Sequence, residues 1–220
     1  MLVVAALGWM IGHYTELAMA LVVSCGIGAC LALPAWKQGG VTFSLIVLSA
    51  TLLRGLIAFY FYDTPPDADY YEYAAKFVAG MSHSIAEPSI VNWHVYTLSL
   101  LFRLLGDNPR VVATIPASIS AGLIILTHNV IRAAGLRPSW FPVLFIAFFP
   151  PIVLFSSALI KDGFVYIFTY LLIGVIISAV SKPRIATFLF ASLLIVVLYG
   201  YRRYAPLPIL TAAVLAILVN

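Results

Sequence analysis

VTFSLIVLSATLLRGLIAFYFY, residues 41–62, carries one charge in its whole length, Arg54, and no proline. A bilayer core takes roughly 20 consecutive apolar residues, each with its backbone polar groups paired inside the helix, so this stretch reads as a transmembrane helix. Arg54 costs at least ~2.5 kcal/mol at a bilayer midplane, so it is expected to face protein or a polar cavity. Similar runs lie at 17–33, 109–133, 140–160, 163–181, 185–201 and 205–219, whereas 2–12 is too short to cross alone. With 63% hydrophobic and 9% charged residues and a mean hydropathy of +1.07, the chain is expected to be an all-α, polytopic transmembrane helix bundle with about seven crossings. Residues 1–220 read as one membrane domain: an N-terminal helical region over 1–40, the span 41–62, an outer loop over 63–108, and further spans over 109–220.

Charge and punctuation fit this reading. The net charge of +4 is assigned to the bilayer boundary rather than to nucleic acid, because basic residues in membrane proteins mark cytoplasmic loops. Lys37, Arg132, Arg137, Lys182 and Arg184 fall on one side in short loops, which makes that side cytoplasmic. All eight acids fall on the other. The segments PAWKQGG, DNP, GLRPSW, SKPR and RRYAP hold the Pro, Gly and basic residues expected at helix ends, and Asn108 with Pro109 forms an N-cap and first-turn pair. Cys25 and Cys30 lack CxxC spacing and read as packed free thiols. The start, MLVVAALGWM, has no basic n-region and is expected to belong to the mature protein.

Directly after residues 41–62 the chain changes character. Half of its eight acids, Asp63, Asp67, Asp69 and Glu72, lie in ten positions. Helical spacing over Ala68–Ala79 puts Tyr70, Tyr73, Ala74, Phe77 and Val78 on one stripe and Asp69, Glu72 and Lys76 on another, so a surface helix is predicted. A second such helix is predicted over Trp93–Leu105. Asp67 has two readings: an N-cap bound to its own helix amides, or, if Asp69 and Glu72 act as a capping box, a free carboxylate able to accept a proton. Glu72 and Lys76 are spaced for an i,i+4 ion pair.

The stretch PDADYYEYAAKF resembles the first-loop motif D-E-x-Y-Y-x-x-A-A-R of GT-C type membrane glycosyltransferases, which include protein O-mannosyltransferases and lipid A aminoarabinose transferases. On that match Asp67 is the leading acid, Tyr70 and Tyr71 the tyrosines, Ala74 and Ala75 the alanines, and Lys76 the basic position. Ala68 stands where many members have a second acid; whether Asp69 compensates, and whether a divalent metal is used, are left open by the match. HVYTLSLLFRLLGDNPRVVATIPASISAGLIILTHNVIRAAG and FFPPIVLFSSALIKDGFVYIF continue the likeness, which spans about residues 41 to 201. Most relatives are about twice as long, so the chain is expected to be a minimal catalytic module, a fragment, or a subunit that needs a partner.

The resemblance implies a polyprenyl-phosphate-linked sugar donor, an inverting transfer on the extracytoplasmic face of a prokaryotic plasma membrane, and a lipid, glycan or protein acceptor. Asp67 is then the general base. A phosphate leaving group needs cations more than protonation. Arg202 and Arg203 are expected to clamp it or to snorkel to the headgroups, with Lys76 and Arg103 as further candidates. Lys161 and Asp162 hold the family's second acidic position, where Asp162 either caps the next helix or binds acceptor or metal. His83 and His94 share the acidic loop and are candidate acceptor contacts; none of the four histidines has metal spacing. Arg54 has a structural partner as its default role and a donor-phosphate contact as the alternative. Two other classes compete: a transporter or lipid flippase with Arg54 and Asp162 on its path, for which no half-repeat is visible, and a non-catalytic subunit that keeps the fold.

Overall fold

The computed structural model describes residues 2–63, 67–81, 92–137, 139–159, 161–181 and 183–219, with side chains from Met10 onward apart from 181 and 213–219. It is 87% helical, with no strand among these residues. In chain order the helices are α1 (Leu2–Phe61), α2 (Ala68–Ala79), α3 (Trp93–Leu105), α4 (Pro109–Ser120), α5 (Gly122–Ala133), α6 (Trp140–Phe148), α7 (Pro150–Ser157), α8 (Asp162–Ser181), α9 (Ile185–Tyr201) and α10 (Pro206–Val219).

Helix α1 doubles back on itself. Gly40, at φ 74° and ψ −163°, is the only non-helical residue inside it, and that conformation is one a residue with a Cβ rarely adopts. The Ser44 hydroxyl donates to the Ala32 carbonyl at 3.0 Å. A Cβ on Gly28 would meet Leu48 at 2.8 Å, and one on Gly55 would collide with Ser24. Small residues thus let the two arms approach closely, as in membrane helix pairs. The break expected at PAWKQGG comes later than its proline suggests: Pro34 removes one intrahelical bond without ending the helix, and reversal waits for Gly40.

Three helices are long and apolar enough to cross a membrane: Met10–Phe61, Pro109–Ala133 and Asp162–Val180. A fourth is counted if Trp140–Phe148 and Pro150–Ser157, bent by 49°, form one span. The expected seven are not reached by this measure. The doubled α1 counts as one run, while α9 with 17 residues and α10 with 14 fall short of a straight crossing.

Proline chemistry explains both the bend and Arg54. Pro150 and Pro151 have no N–H, so the carbonyls four residues earlier, Ile146 and Ala147, lose their helical donors. Arg54, fully buried, supplies them: Nη2 donates to Ile146 at 2.7 Å and Nη1 to Ala147 at 3.0 Å. Its Nε donates to the Ser156 hydroxyl at 3.3 Å. The structural reading of Arg54 holds, since its donors are directed at the freed carbonyls across the break.

Helices α2 and α3 occupy the predicted ranges, and Asn108 caps α4 by accepting from the Val111 amide at 3.2 Å. The buried face of α2 is turned from the expected stripe, however. Ala68, Tyr71, Ala74 and Ala75 are buried while Tyr70, Tyr73 and Phe77 are half-buried. The reason is its partner: α2 lays its alanines against Val95, Leu98 and Phe102 of α3, and the pair packs on α4. Fully burying a side chain such as Phe102 contributes roughly 1.5–3 kcal/mol relative to exposure to water, and the small alanines let the two helices approach closely. Cys25 and Cys30 are free, as expected, but exposed rather than packed.

Candidate functional site

The four ion pairs among the described residues join segments that the sequence assigns to the outer side. They form two groups.

The first group is structural. Lys76 Nζ lies 2.7 Å from Glu72 and 2.6 Å from Asp107, so the i,i+4 pair exists and is extended to the turn before α4. Burial lowers the Lys76 pKa, but hydrogen bonds to Asp107 and Glu72 outweigh it and raise the pKa overall. Arg110 bonds His13 at 3.1 Å and lies 3.8 Å from Glu16, beside a cleft of about 330 Å³ lined also by Gly12, Asp107 and Asn108. Arg103 donates to the Val78 carbonyl at 2.8 Å, covering one of the orphan acceptors in the last turn of α2. Lys76 and Arg103 are therefore committed to protein groups, and neither is brought to the cluster described next.

The second group gathers five of the expected residues: Tyr71, His94, Lys161, Asp162 and Arg202. The Tyr71 ring meets the His94 imidazole edge to face, with centroids 5.0 Å apart, and Lys161 Nζ stands 5.6 Å over the same tyrosine. On its other sides His94 touches Phe164 at 6.1 Å and Tyr201 at 6.3 Å. The Tyr201 hydroxyl is 2.8 Å from Thr97 Oγ1, fastening the end of α9 to α3. Arg202 Nη1 donates to Asp162 Oδ1 at 3.2 Å, and its guanidinium lies 5.1 Å from the Tyr204 ring. Asp162 is the first residue of α8, where its charge favours the helix dipole while it also holds Arg202. The Leu159 amide donates to the Tyr62 carbonyl at 3.2 Å, which ties this cluster to the start of the acidic loop.

His94 is fully buried, and neither ring nitrogen has a hydrogen-bond partner. Burial pushes its pKa down to about 3, opposed by the Leu159 backbone, which lies outside hydrogen-bonding geometry, and helped to a smaller degree by the charge of Lys161. The ring is neutral at pH 7 and acts as a packed wedge between four helices. Arg202 keeps an unpartnered, buried Nε in addition to the nitrogen spent on Asp162. Its pKa is raised, first by the Tyr204 hydroxyl, with burial opposing and Asp162 adding. Lys161 and Arg203 form no ion pair among the described residues, and Arg203 is exposed.

Asp67 opens α2. Its carbonyl accepts from the Tyr71 amide at 3.1 Å, while its side chain makes no capping bond and is exposed. The capping-box route to that outcome is not the one taken: Asp69 lies inside the first turn, exposed, and Asp67 itself holds the N-cap position. Its αR backbone, φ −82° and ψ −12°, differs from the extended form in which a cap side chain reaches back to the N2 or N3 amide. Tyr70 packs edge to face on Tyr71 at 5.8 Å.

Tyr201, Thr97, Phe164 and Tyr204 were not singled out from the sequence. The YRRY repeat of aromatics around Arg202 is the one local sign of them. Among the described residues no three His, Cys, Asp or Glu side chains come together as metal ligands. His83 lies outside the described residues.

No family model matches the chain, and no curated protein or solved structure matches it.

Proposed function

We propose that the chain is an integral membrane glycosyltransferase that moves a sugar from a polyprenyl-phosphate donor to an acceptor on the extracytoplasmic face. The observation that carries this reading is the unspent, exposed carboxylate of Asp67 at the head of α2, one turn from the tyrosine that holds Lys161. A carboxylate at a helix start is ordinarily consumed as a cap; one left free is available for proton transfer.

In this mechanism the acceptor hydroxyl attacks the anomeric carbon as Asp67 takes its proton. The bond from that carbon to the phosphate oxygen breaks, and the polyprenyl phosphate leaves with the electron pair. Inversion follows from attack opposite the leaving group. Lys161, Arg203 and the unpartnered Nε of Arg202 are the cations for the developing phosphate charge. Tyr70 and Tyr71 contribute aromatic surface at the head of α2.

The membrane arrangement belongs to the same proposal. Counting the doubled α1 as two spans, the bent α6–α7 pair as one, and α9 and α10 as crossings of a locally thinned bilayer gives the expected seven. Glu16, the acidic loop, Lys161–Asp162 and Arg202–Arg203 then share the outer side of a plasma membrane. The ion pair Arg202–Asp162 supports this by joining two of those segments, and Arg110–Glu16 by joining Glu16 to the start of α4, directly after the acidic loop.

Replacing Asp67 by Asn keeps size and removes the base. Transfer from a polyprenyl-phosphate sugar to endogenous acceptors should fall at least ~100-fold, the lower bound for a general base, with unchanged abundance in the membrane. Transfer at the wild-type rate by that variant rejects the assignment.

A further inference from the structure

A cleft of about 600 Å³ opens between α5, α8 and α9, at the end of the bundle away from Asp67. Its size falls in the roughly 300–1,000 Å³ range of sites that hold a small ligand. Three features of its lining point to one kind of occupant.

The walls are mainly apolar, with Val130, Leu171 and Phe190 among them, and Gly174 leaves the gap between α5 and α8. A Cβ there would reach Val130 Cγ2 at an ordinary 3.5 Å, so it is the missing side chain and no backbone distortion that opens the space. Asn129 is exposed at the cleft and makes no hydrogen bond among the described residues. An exposed amide beside apolar walls offers a donor and an acceptor to a polar group from outside the chain. Arg184 borders the same cleft, is exposed, and takes part in no ion pair among the described residues. Apolar length, an amide in search of a partner and an unpaired guanidinium together match a lipid with an anionic headgroup. Basic pockets between transmembrane helices on the cytoplasmic side recognise such headgroups.

We infer that this cleft binds one anionic phospholipid of the cytoplasmic leaflet, with its phosphate on Arg184, a polar ester group on Asn129, and an acyl chain along Gly174. The inference uses the membrane orientation proposed above and does not depend on glycosyl transfer.

The test uses the purified chain in phosphatidylcholine vesicles doped with spin-labelled phosphatidylglycerol or, separately, spin-labelled phosphatidylcholine. The motionally restricted fraction is read by electron paramagnetic resonance. Wild type should hold phosphatidylglycerol over phosphatidylcholine by about fivefold, the contribution of one basic side chain at an anionic lipid. Arg184→Gln should abolish that preference, and Gly174→Leu, which fills the cleft, should abolish it too while the shell of boundary lipid around the bundle is retained. Excess inorganic phosphate should compete weakly, because it lacks the chain. Equal retention of the two lipids by wild type overturns the inference, as does a preference that survives in Arg184→Gln or full competition by inorganic phosphate. Glycosyl transfer assayed on the same preparations separates failure here from failure of the enzyme assignment.

Discussion

Replacing Arg54 by Met tests how the bundle tolerates a charge in its interior. Two effects oppose each other. Removing the guanidinium relieves at least ~2.5 kcal/mol of charge burial. It also strands the carbonyls of Ile146 and Ala147, now bonded at 2.7 and 3.0 Å, at about 1–3 kcal/mol each. The single variant is therefore expected to lose no more than ~3.5 kcal/mol net. The sharper quantity is the coupling to the prolines. Changing Pro150 and Pro151 to Ala restores the two missing amides, so the carbonyls no longer need Arg54. In that background Arg54→Met should be neutral or stabilising, giving a coupling of at least ~2 kcal/mol. Unfolding of the four proteins in mixed micelles, followed by helicity, closes the cycle. Additivity within ~0.5 kcal/mol would refute the claim that Arg54 serves the proline break.

Other consequences follow from the packing and the cluster. Gly55→Ala drives a methyl into Ser24 and the Ser24–Ser118 hydrogen bond of 3.1 Å, and should cost about 1–3 kcal/mol in the same unfolding assay. His94 has its pKa depressed to about 3 when folded, against an ordinary value near ~6.5. Its contribution is thus complete above pH ~6.5 and declines by about 1.4 kcal/mol per unit as pH falls toward the folded value. Between pH ~6.5 and ~5 wild type should lose about 2 kcal/mol more than His94→Phe, and equal losses would show that the ring is not buried neutral. Arg202→Ala should weaken donor binding while leaving Lys76→Ala near wild type, because Lys76 is already neutralised by two carboxylates; equal effects in donor titrations would contradict the division into two groups.

Local signals in the sequence located what local forces determine. The 3.6-residue spacing over 68–79 and 93–105, the Asn108–Pro109 cap and the Glu72–Lys76 pair are interactions within one or two turns, and each is found where expected. The break at PAWKQGG was legible, and the chain reverses at its Gly40; that the helix runs on through Pro34 was not, because a helix can absorb one lost hydrogen bond and a positive φ is not printed in the sequence. The buried face of α2 was misplaced because alanine scores as weakly apolar; its value lies in letting α3 approach, which is a property of the pair. At the candidate site, Tyr71, His94, Lys161, Asp162 and Arg202 were each visible as residue types, but their meeting was not. Arg202 and Asp162 are 40 positions apart, and the aromatic wall of Phe164 and Tyr201 that encloses His94 consists of ordinary span residues until the fold assembles it.

Release of polyprenyl phosphate by the purified wild-type chain, reconstituted alone with a polyprenyl-phosphate sugar and a soluble acceptor and compared with Asp67→Asn, tests the central claim most directly. The proposal predicts turnover by wild type without partner or gradient, reduced at least ~100-fold in the variant. Equal release by the two proteins, or none by wild type while it remains folded, would contradict it.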